Sequence, residues 1–164
     1  MQISTVTAAN YYGIDSLTEY NLTGGYISVE IVDVANQSQA SLEFYPLYLF
    51  PDANNAIFFL VAGGTIYAYK KIATVNTSLA SATYSSTTHK YVRIREASGT
   101  TYWEYSSDGI SWSTLHSVAN PIAVTAIIVE LLIGHYAAEA AATTGKWDNI
   151  NILPSASRRV LVVS

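Results

Sequence analysis

Cysteine is absent from the 164 residues, which excludes disulfides, thiolate metal sites and a cysteine nucleophile. Charge is scarce as well. Only 12% of the chain is Asp, Glu, Lys or Arg, roughly half the usual share. That excludes a charged disordered tail and a coiled coil, both of which need a far more polar pattern. Cations are fewer than anions, 8 Lys plus Arg against 12 Asp plus Glu, for a net charge of -4. No electrostatic footprint for DNA or RNA follows from so few cations, and no nucleic-acid partner is expected. The opening Met1-Gln2-Ile3-Ser4-Thr5 lacks a basic stretch followed by an apolar one, so no secretory signal is expected. The longest apolar run, 124–133, is interrupted by Thr125 and Glu130 and falls well short of the ~20 residues of a membrane span. Helical periodicity is missing too. Its nearest candidate, 136–142, is short and closed by Thr143-Thr144-Gly145, and reads as a loop.

What remains is half hydrophobic and rich in tyrosine, with 13 Tyr and 3 Trp. The length suits one domain with a single core. Strand patterns recur along it. Residues 26–34 alternate Ile27, Val29 and Ile31 with Ser28 and Glu30, as a half-buried strand does. A second strand covers 41–50, where Pro46 predicts a bulge or an edge. The nearly all-apolar 57–62 leads through Gly63-Gly64, a two-residue hairpin turn, into a strand over 65–75. Residues 90–97 and 101–106 flank Ser98-Gly99. Asp108-Gly109 leads into 110–118, and 126–133 and 146–153 complete the set. Many strands at about 8–12-residue spacing predict an all-β antiparallel sandwich or barrel. Asn-x-Ser/Thr triplets at Asn21, Asn36 and Asn76 are no more than this composition produces by chance.

Three segments carry a family resemblance. Tyr91-Val92-Arg93-Ile94-Arg95-Glu96, Gly99-Thr100 and Ser106-Ser107-Asp108-Gly109-Ile110-Ser111-Trp112 resemble the central meander of concanavalin A-like lectin/glucanase sandwiches of the laminin-G type. Tyr20-Asn21-Leu22-Thr23-Gly24-Gly25-Tyr26 is similar to their first core strand, and Gly145-Lys146-Trp147-Asp148-Asn149-Ile150 to their closing strand. The resemblance implies a two-sheet jelly-roll sandwich over 1–153, with 154–164 as a C-terminal tail. Domains of this pattern occur in secreted bacterial proteins and in virion proteins of tailed phages. It therefore implies a non-enzymatic virion component, a decoration or tail/fibre protein that displays a lectin-like domain and aids host adhesion. Its partners would be other virion proteins, copies of itself and host glycan. The alternative is a secreted or cell-surface carbohydrate-binding module.

Catalytic chemistry is not expected. Laminarinase-type relatives carry Glu-x-Asp-x-x-Glu on one strand, whereas the nearest segment here, Glu30-Ile31-Val32-Asp33, has the wrong spacing. His89, His116 and His135 stand alone, with no Gly-x-Ser-x-Gly elbow and no zinc spacing. No cofactor is expected. Calcium would find oxygens only at Asp52-Ala53-Asn54-Asn55, where an Asx turn fits equally, and at Asp148.

Parity along the central hairpin sets the candidate ligand face. With Val92 and Ile94 inward, Tyr91, Arg93 and Arg95 face outward beside Tyr102 and Glu104. An Arg–Glu cross-strand ion pair is expected there. Such a face is either plain solvated sheet or a surface for ligand or subunit. With Ile66, Ala68 and Ile72 inward, Tyr67 and Tyr69 extend it, although Lys70 counts against that register. In the tail, Arg158, Arg159, Val160, Leu161, Val162 and Val163 form a strand-prone end that packs on its own domain or docks on a neighbouring subunit.

Overall fold

A computed structural model describes residues 1–153. The tail assigned to assembly, Arg158 to Val163, lies outside the described residues. Two six-stranded antiparallel sheets form a sandwich. The first has the order β1 (Gln2–Ser4), β12 (Thr144–Leu153), β3 (Tyr26–Val34), β8 (Tyr91–Ala97), β9 (Thr100–Ser106), β10 (Ser113–Ala119). The second has the order β2 (Asn10–Asp15), β11 (Ile128–His135), β4 (Leu42–Asp52), β5 (Asn55–Ala62), β6 (Thr65–Ile72), β7 (Val75–Thr83). The concanavalin A-like jelly-roll expectation holds. The alanine-rich 136–142 is loop, and no helix among the described residues is long and apolar enough to cross a membrane.

Period-2 alternation builds the core. Val29, Ile31, Val92, Ile94 and Trp103 point inward from the first sheet; Phe44, Leu47, Leu49, Ile57, Phe59, Val61 and Ile66 meet them from the second. Each such side chain contributes about 1.5–3 kcal/mol by leaving water. Trp103 also ties the layers together, donating its Nε1–H to the Phe58 carbonyl at 3.1 Å. Gly145 permits the stack of Phe44 on Trp147, with centroids 4.7 Å apart. A Cβ there would sit 2.6 Å from the Phe44 ring.

The turns obey turn chemistry with one exception. Gly63-Gly64 and Ser98-Gly99 both have positive φ at each position, as the favoured two-residue hairpin loop requires. The strand expected over 65–75 ends instead at Ile72, where Ala73 (φ 48) and Thr74 (φ 71) turn the chain into β7. Neither residue favours that region. The turn is held from outside: Ala73 N–H donates to Asn55 Oδ1 and Thr74 N–H to the Asn54 carbonyl. Asn54 and Asn55 are themselves fixed by Asp52, whose Oδ1 accepts both of their backbone N–H groups. Asp52-Ala53-Asn54-Asn55 is thus an Asx turn supporting a neighbouring hairpin.

Candidate functional site

The two outer faces differ in kind. On the first sheet, Tyr91, Arg93, Arg95, Tyr102 and Glu104 share one face, with Arg93 opposite Glu104 and Arg95 opposite Tyr102. The ion pair forms twice. Arg93 Nε lies 2.6 Å from Glu104 Oε2, and Arg95 reaches both carboxylate oxygens at 3.0 Å. Arg95 also lies 3.9 Å above the Tyr102 ring, and Arg93 4.2 Å above Trp112. Burial pushes the Glu104 carboxyl upward, but the hydrogen bonds from Arg95 and Arg93 outweigh it and hold the group below its ordinary range. Glu104 is only 4% exposed. Both guanidinium groups are thus committed to Glu104, with their faces on aromatic rings.

Tyr67 and Tyr69 do not extend this face. Ile66 and Ala68 do point inward, but β6 belongs to the second sheet, so the two tyrosines lie on the opposite side of the sandwich. There they join an aromatic carpet. Tyr48, Phe58 and Tyr69 stack across β4, β5 and β6, with Phe58 4.8 Å from Tyr48 and 5.2 Å from Tyr69. Tyr45, Phe50, Tyr67 and Leu60 pack on the same layer. The bulge foreseen at Pro46 makes this layer possible. Register shifts between Phe44 and Leu47, so Tyr45 and Tyr48, three residues apart, share a face that simple alternation would deny them.

Over the carpet run two adjoining clefts of about 240 and 170 Å³ that share Tyr48, Lys71 and Glu130. Tyr11, Tyr45, Phe58 and Asn76 line the first, and Phe50 and Asp52 the second. Polar groups border the aromatic floor. Glu43 accepts the hydroxyl protons of Tyr11 (2.6 Å) and Tyr45 (2.7 Å). Burial, reinforced by Glu43, pushes both phenols up. Glu130 is half-buried and faces Asp15 across the β11–β2 pair. Gly13, two residues from Asp15, leaves room for its Oε1, which a Cβ would approach to 2.9 Å. Burial first, then the Asp15 charge, raises the Glu130 carboxyl from 4.5 to about 7, against the opposing pull of Lys71. Phe58 is 2% exposed, with Tyr48 and Tyr69 on its two faces, so it braces the half-buried tyrosines. A groove bordered by those tyrosines, a carboxyl that holds its proton to near neutrality, an ammonium and an amide can meet the apolar and hydroxyl surfaces of a sugar ring. Sequence reasoning missed Tyr11, Tyr45, Tyr48, Phe58, Lys71 and Glu130. The signal was the aromatic run through 44–50, and the bulge concealed its phase.

No family model and no curated protein sequence matches the chain. Solved structures do match. A Bacillus licheniformis β-glucanase superposes with TM-score 0.61 at 10% identity, covering 92% of this chain and 77% of its own. A legume lectin-like domain from Entamoeba histolytica gives TM-score 0.60 at 8% identity, covering 92% and 84%. The GH43 protein BlXynB from Bacillus licheniformis gives 0.53 at 11% identity over 76% of this chain, which spans only 27% of that protein. These likenesses are of fold, and the fold is lectin-like and glycosidase-like. They correct two expectations. The chain was expected to be non-enzymatic, yet its sandwich matches most of two glucanases and part of GH43 proteins. A virion component was expected, and the matches point instead to proteins of carbohydrate chemistry.

Proposed function

We propose that the chain is a carbohydrate-binding module, secreted or held at a cell surface, that takes a polysaccharide strand along the aromatic groove of the second sheet. The carrying observation is the Tyr48–Phe58–Tyr69 stack beneath two joined clefts. Sugar rings present C–H surfaces to the half-buried Tyr48 and Tyr69, which Phe58 braces from between, and hydroxyl edges to groups such as Glu130, Lys71 and Asn76. Matched proteins named for β-glucan and xyloglucan make these polymers the first ligands to test. Isothermal titration with their oligosaccharides should show saturable binding, weakened about tenfold in Tyr48→Ala at about 1.4 kcal/mol. Binding that is unchanged in Tyr48→Ala and Tyr69→Ala would place the ligand elsewhere.

One observation favours a second reading, hydrolysis of the bound strand. Glu130 keeps its proton to near neutrality and lies cross-strand from Asp15 on the same face. Directly opposed residues place their Cβ atoms about 4.5–5.5 Å apart, so both carboxyls stand on one face, as a retaining pair requires. Glu130 would protonate the leaving oxygen while Asp15 met the anomeric carbon. Release of reducing ends by the wild type, abolished in Glu130→Gln, supports this reading. Intact polymer after prolonged incubation with the wild type refutes it.

A further inference from the structure

A further concavity lies on the other side of the sandwich, on the outer face of the first sheet. It is an open cleft of about 470 Å³ between Ser28, Tyr91, Asp108, Gly109, Trp112, Asn149, Ile150 and Asn151, within the volume range of small-molecule sites. Two irregularities shape it. In β12 the pairing with β3 breaks between Asp148 and Asn151. The bulge leaves Asn149 at φ 48 with its Nδ2 on Glu30 Oε2 at 2.5 Å. Bulges of this kind re-aim side chains beside functional sites. Opposite, the connection from β9 to β10 folds over Tyr91. Ser106 Oγ accepts the N–H groups of Asp108 and Gly109 at 3.1 and 2.9 Å. Asp108 Oδ1 accepts those of Ile110 and Ser111, each at 2.8 Å. Gly109 (φ 75) lies against Tyr91, where an added Cβ would make ordinary van der Waals contact with the ring at 3.5 Å.

The polar groups left over face the cleft. Ser28 is 8% exposed, and its hydroxyl has no hydrogen-bond partner among the described residues. The same holds for the Asn151 amide, Asn149 Oδ1 and Asp108 Oδ2. The neighbouring cations, by contrast, are engaged. Lys90 sits 3.3 Å from Glu30 and Arg93 2.6 Å from Glu104. The backbone N–H groups of Ile110 and Ser111 hold the Asp108 carboxyl down to about 2, so it faces the cleft as an anion and acceptor. An anionic ligand would meet that charge with no free cation to offset it. A neutral ring rich in hydroxyls would find an acceptor carboxylate, two amides, a serine hydroxyl and the edges of Tyr91 and Trp112.

We propose that this cleft is a second, separate binding site, for one neutral sugar ring, so that a single chain holds carbohydrate on both of its outer faces. It stands on its own residues and does not require the groove of the second sheet to bind. A module of this kind would bridge two glycan strands without a second copy of itself.

Tryptophan fluorescence separates the two faces. Trp103 and Trp147 are 0% and 1% exposed, Trp112 borders the cleft, and the aromatic groove contains no tryptophan. The probes are the methyl β-glycosides of glucose, galactose, mannose and xylose, together with N-acetylglucosamine. At least one should change the emission saturably in the wild type and in Tyr48→Ala, and leave that of Trp112→Phe unchanged. Asn149→Gly keeps the positive φ but removes the amide, and Ser28→Val removes the hydroxyl in a strand-compatible form. Each should weaken the response about five- to tenfold. Emission unmoved by every probe, or a response lost in Tyr48→Ala yet kept in both Asn149→Gly and Ser28→Val, overturns the proposal. Neither result depends on whether long oligosaccharides bind the groove.

Discussion

Glu130 gives the groove a signature in folding stability that needs no ligand. Its carboxyl moves from 4.5 to about 7 because folding buries it and brings Asp15 across from it. Between those values the folded chain keeps a proton that the unfolded chain has lost. Stability therefore falls as pH rises, by linkage. A move of that size corresponds to about 3 kcal/mol for a dry site. Glu130 is only half-buried, and solvent screening reduces the figure to about 1–2 kcal/mol. Gln is nearly isosteric with the protonated acid and does not titrate. Glu130→Gln should match the wild type at pH 4 and exceed it by about 1–2 kcal/mol at pH 8. For a chain of this length that is about 3–6 °C in Tm. Urea melts of both proteins at pH 4, 5, 6, 7 and 8 give the difference directly, and titrating groups that do not interact with Glu130 cancel in it. A wild-type-minus-variant difference that is flat across this range would show that Glu130 is solvated. It would also remove the physical basis for a proton donor in the groove.

Two further substitutions test the frame. Glu104→Ala leaves Arg93 and Arg95 facing each other without their shared carboxylate, and should cost about 2–4 kcal/mol in urea denaturation. Because this carboxyl is held below 4.5, the contribution it makes is intact above that pH and fades as pH falls through its folded value. Wild-type-like stability of Glu104→Ala at pH 7 would refute the reading of a committed network. Replacing Ala73-Thr74 by Asn-Gly should stabilise the chain by about 1–2 kcal/mol, since both positions have positive φ and the new pair favours it. A lower Tm would mean that the contacts from Asn54 and Asn55 demand the original residues.

The sandwich was legible because its central strands alternate cleanly. Ile27, Val29 and Ile31, then Val92 and Ile94, mark one buried face each. The strands that left no trace, β1, β2 and β7, all lie at sheet edges, although the fourth edge strand, β10, was expected over 110–118. In β7, Val-Asn-Thr-Ser-Leu-Ala-Ser-Ala-Thr, the first four residues are all exposed, so nothing in that stretch selects apolar positions. β2 is exposed at five of its six residues and is equally silent. The Ala73-Thr74 turn escaped notice because tertiary contacts, not its own residues, enforce its geometry. The candidate site divided for a related reason. Parity placed Tyr91, Arg93, Arg95, Tyr102 and Glu104 together, since one hairpin holds them. Whether Tyr67 and Tyr69 joined them depended on which sheet β6 enters, and local pattern carries no information about that. Glu130 looked like an interruption in an apolar run; only its neighbours across two strands, Asp15 and Tyr48, give it chemical character.

The positions of β1 and β2 bear on how the chain reaches this state. The first fifteen residues supply an outermost strand to each layer, and their partners are β12 and β11, more than a hundred residues later. Synthesis delivers these closing strands after every other strand of both layers, so neither layer can be completed while the ribosome still holds residues 128–153. The hairpins from β4 through β7 and from β8 through β10 have only local loops to close and can organise early. Until the end arrives, β3 and β4 each wait with one flank bare, open to mispairing with another nascent copy. Yield in a host should therefore respond to translation speed and chaperone supply more than to the modest gains in equilibrium stability that point substitutions bring.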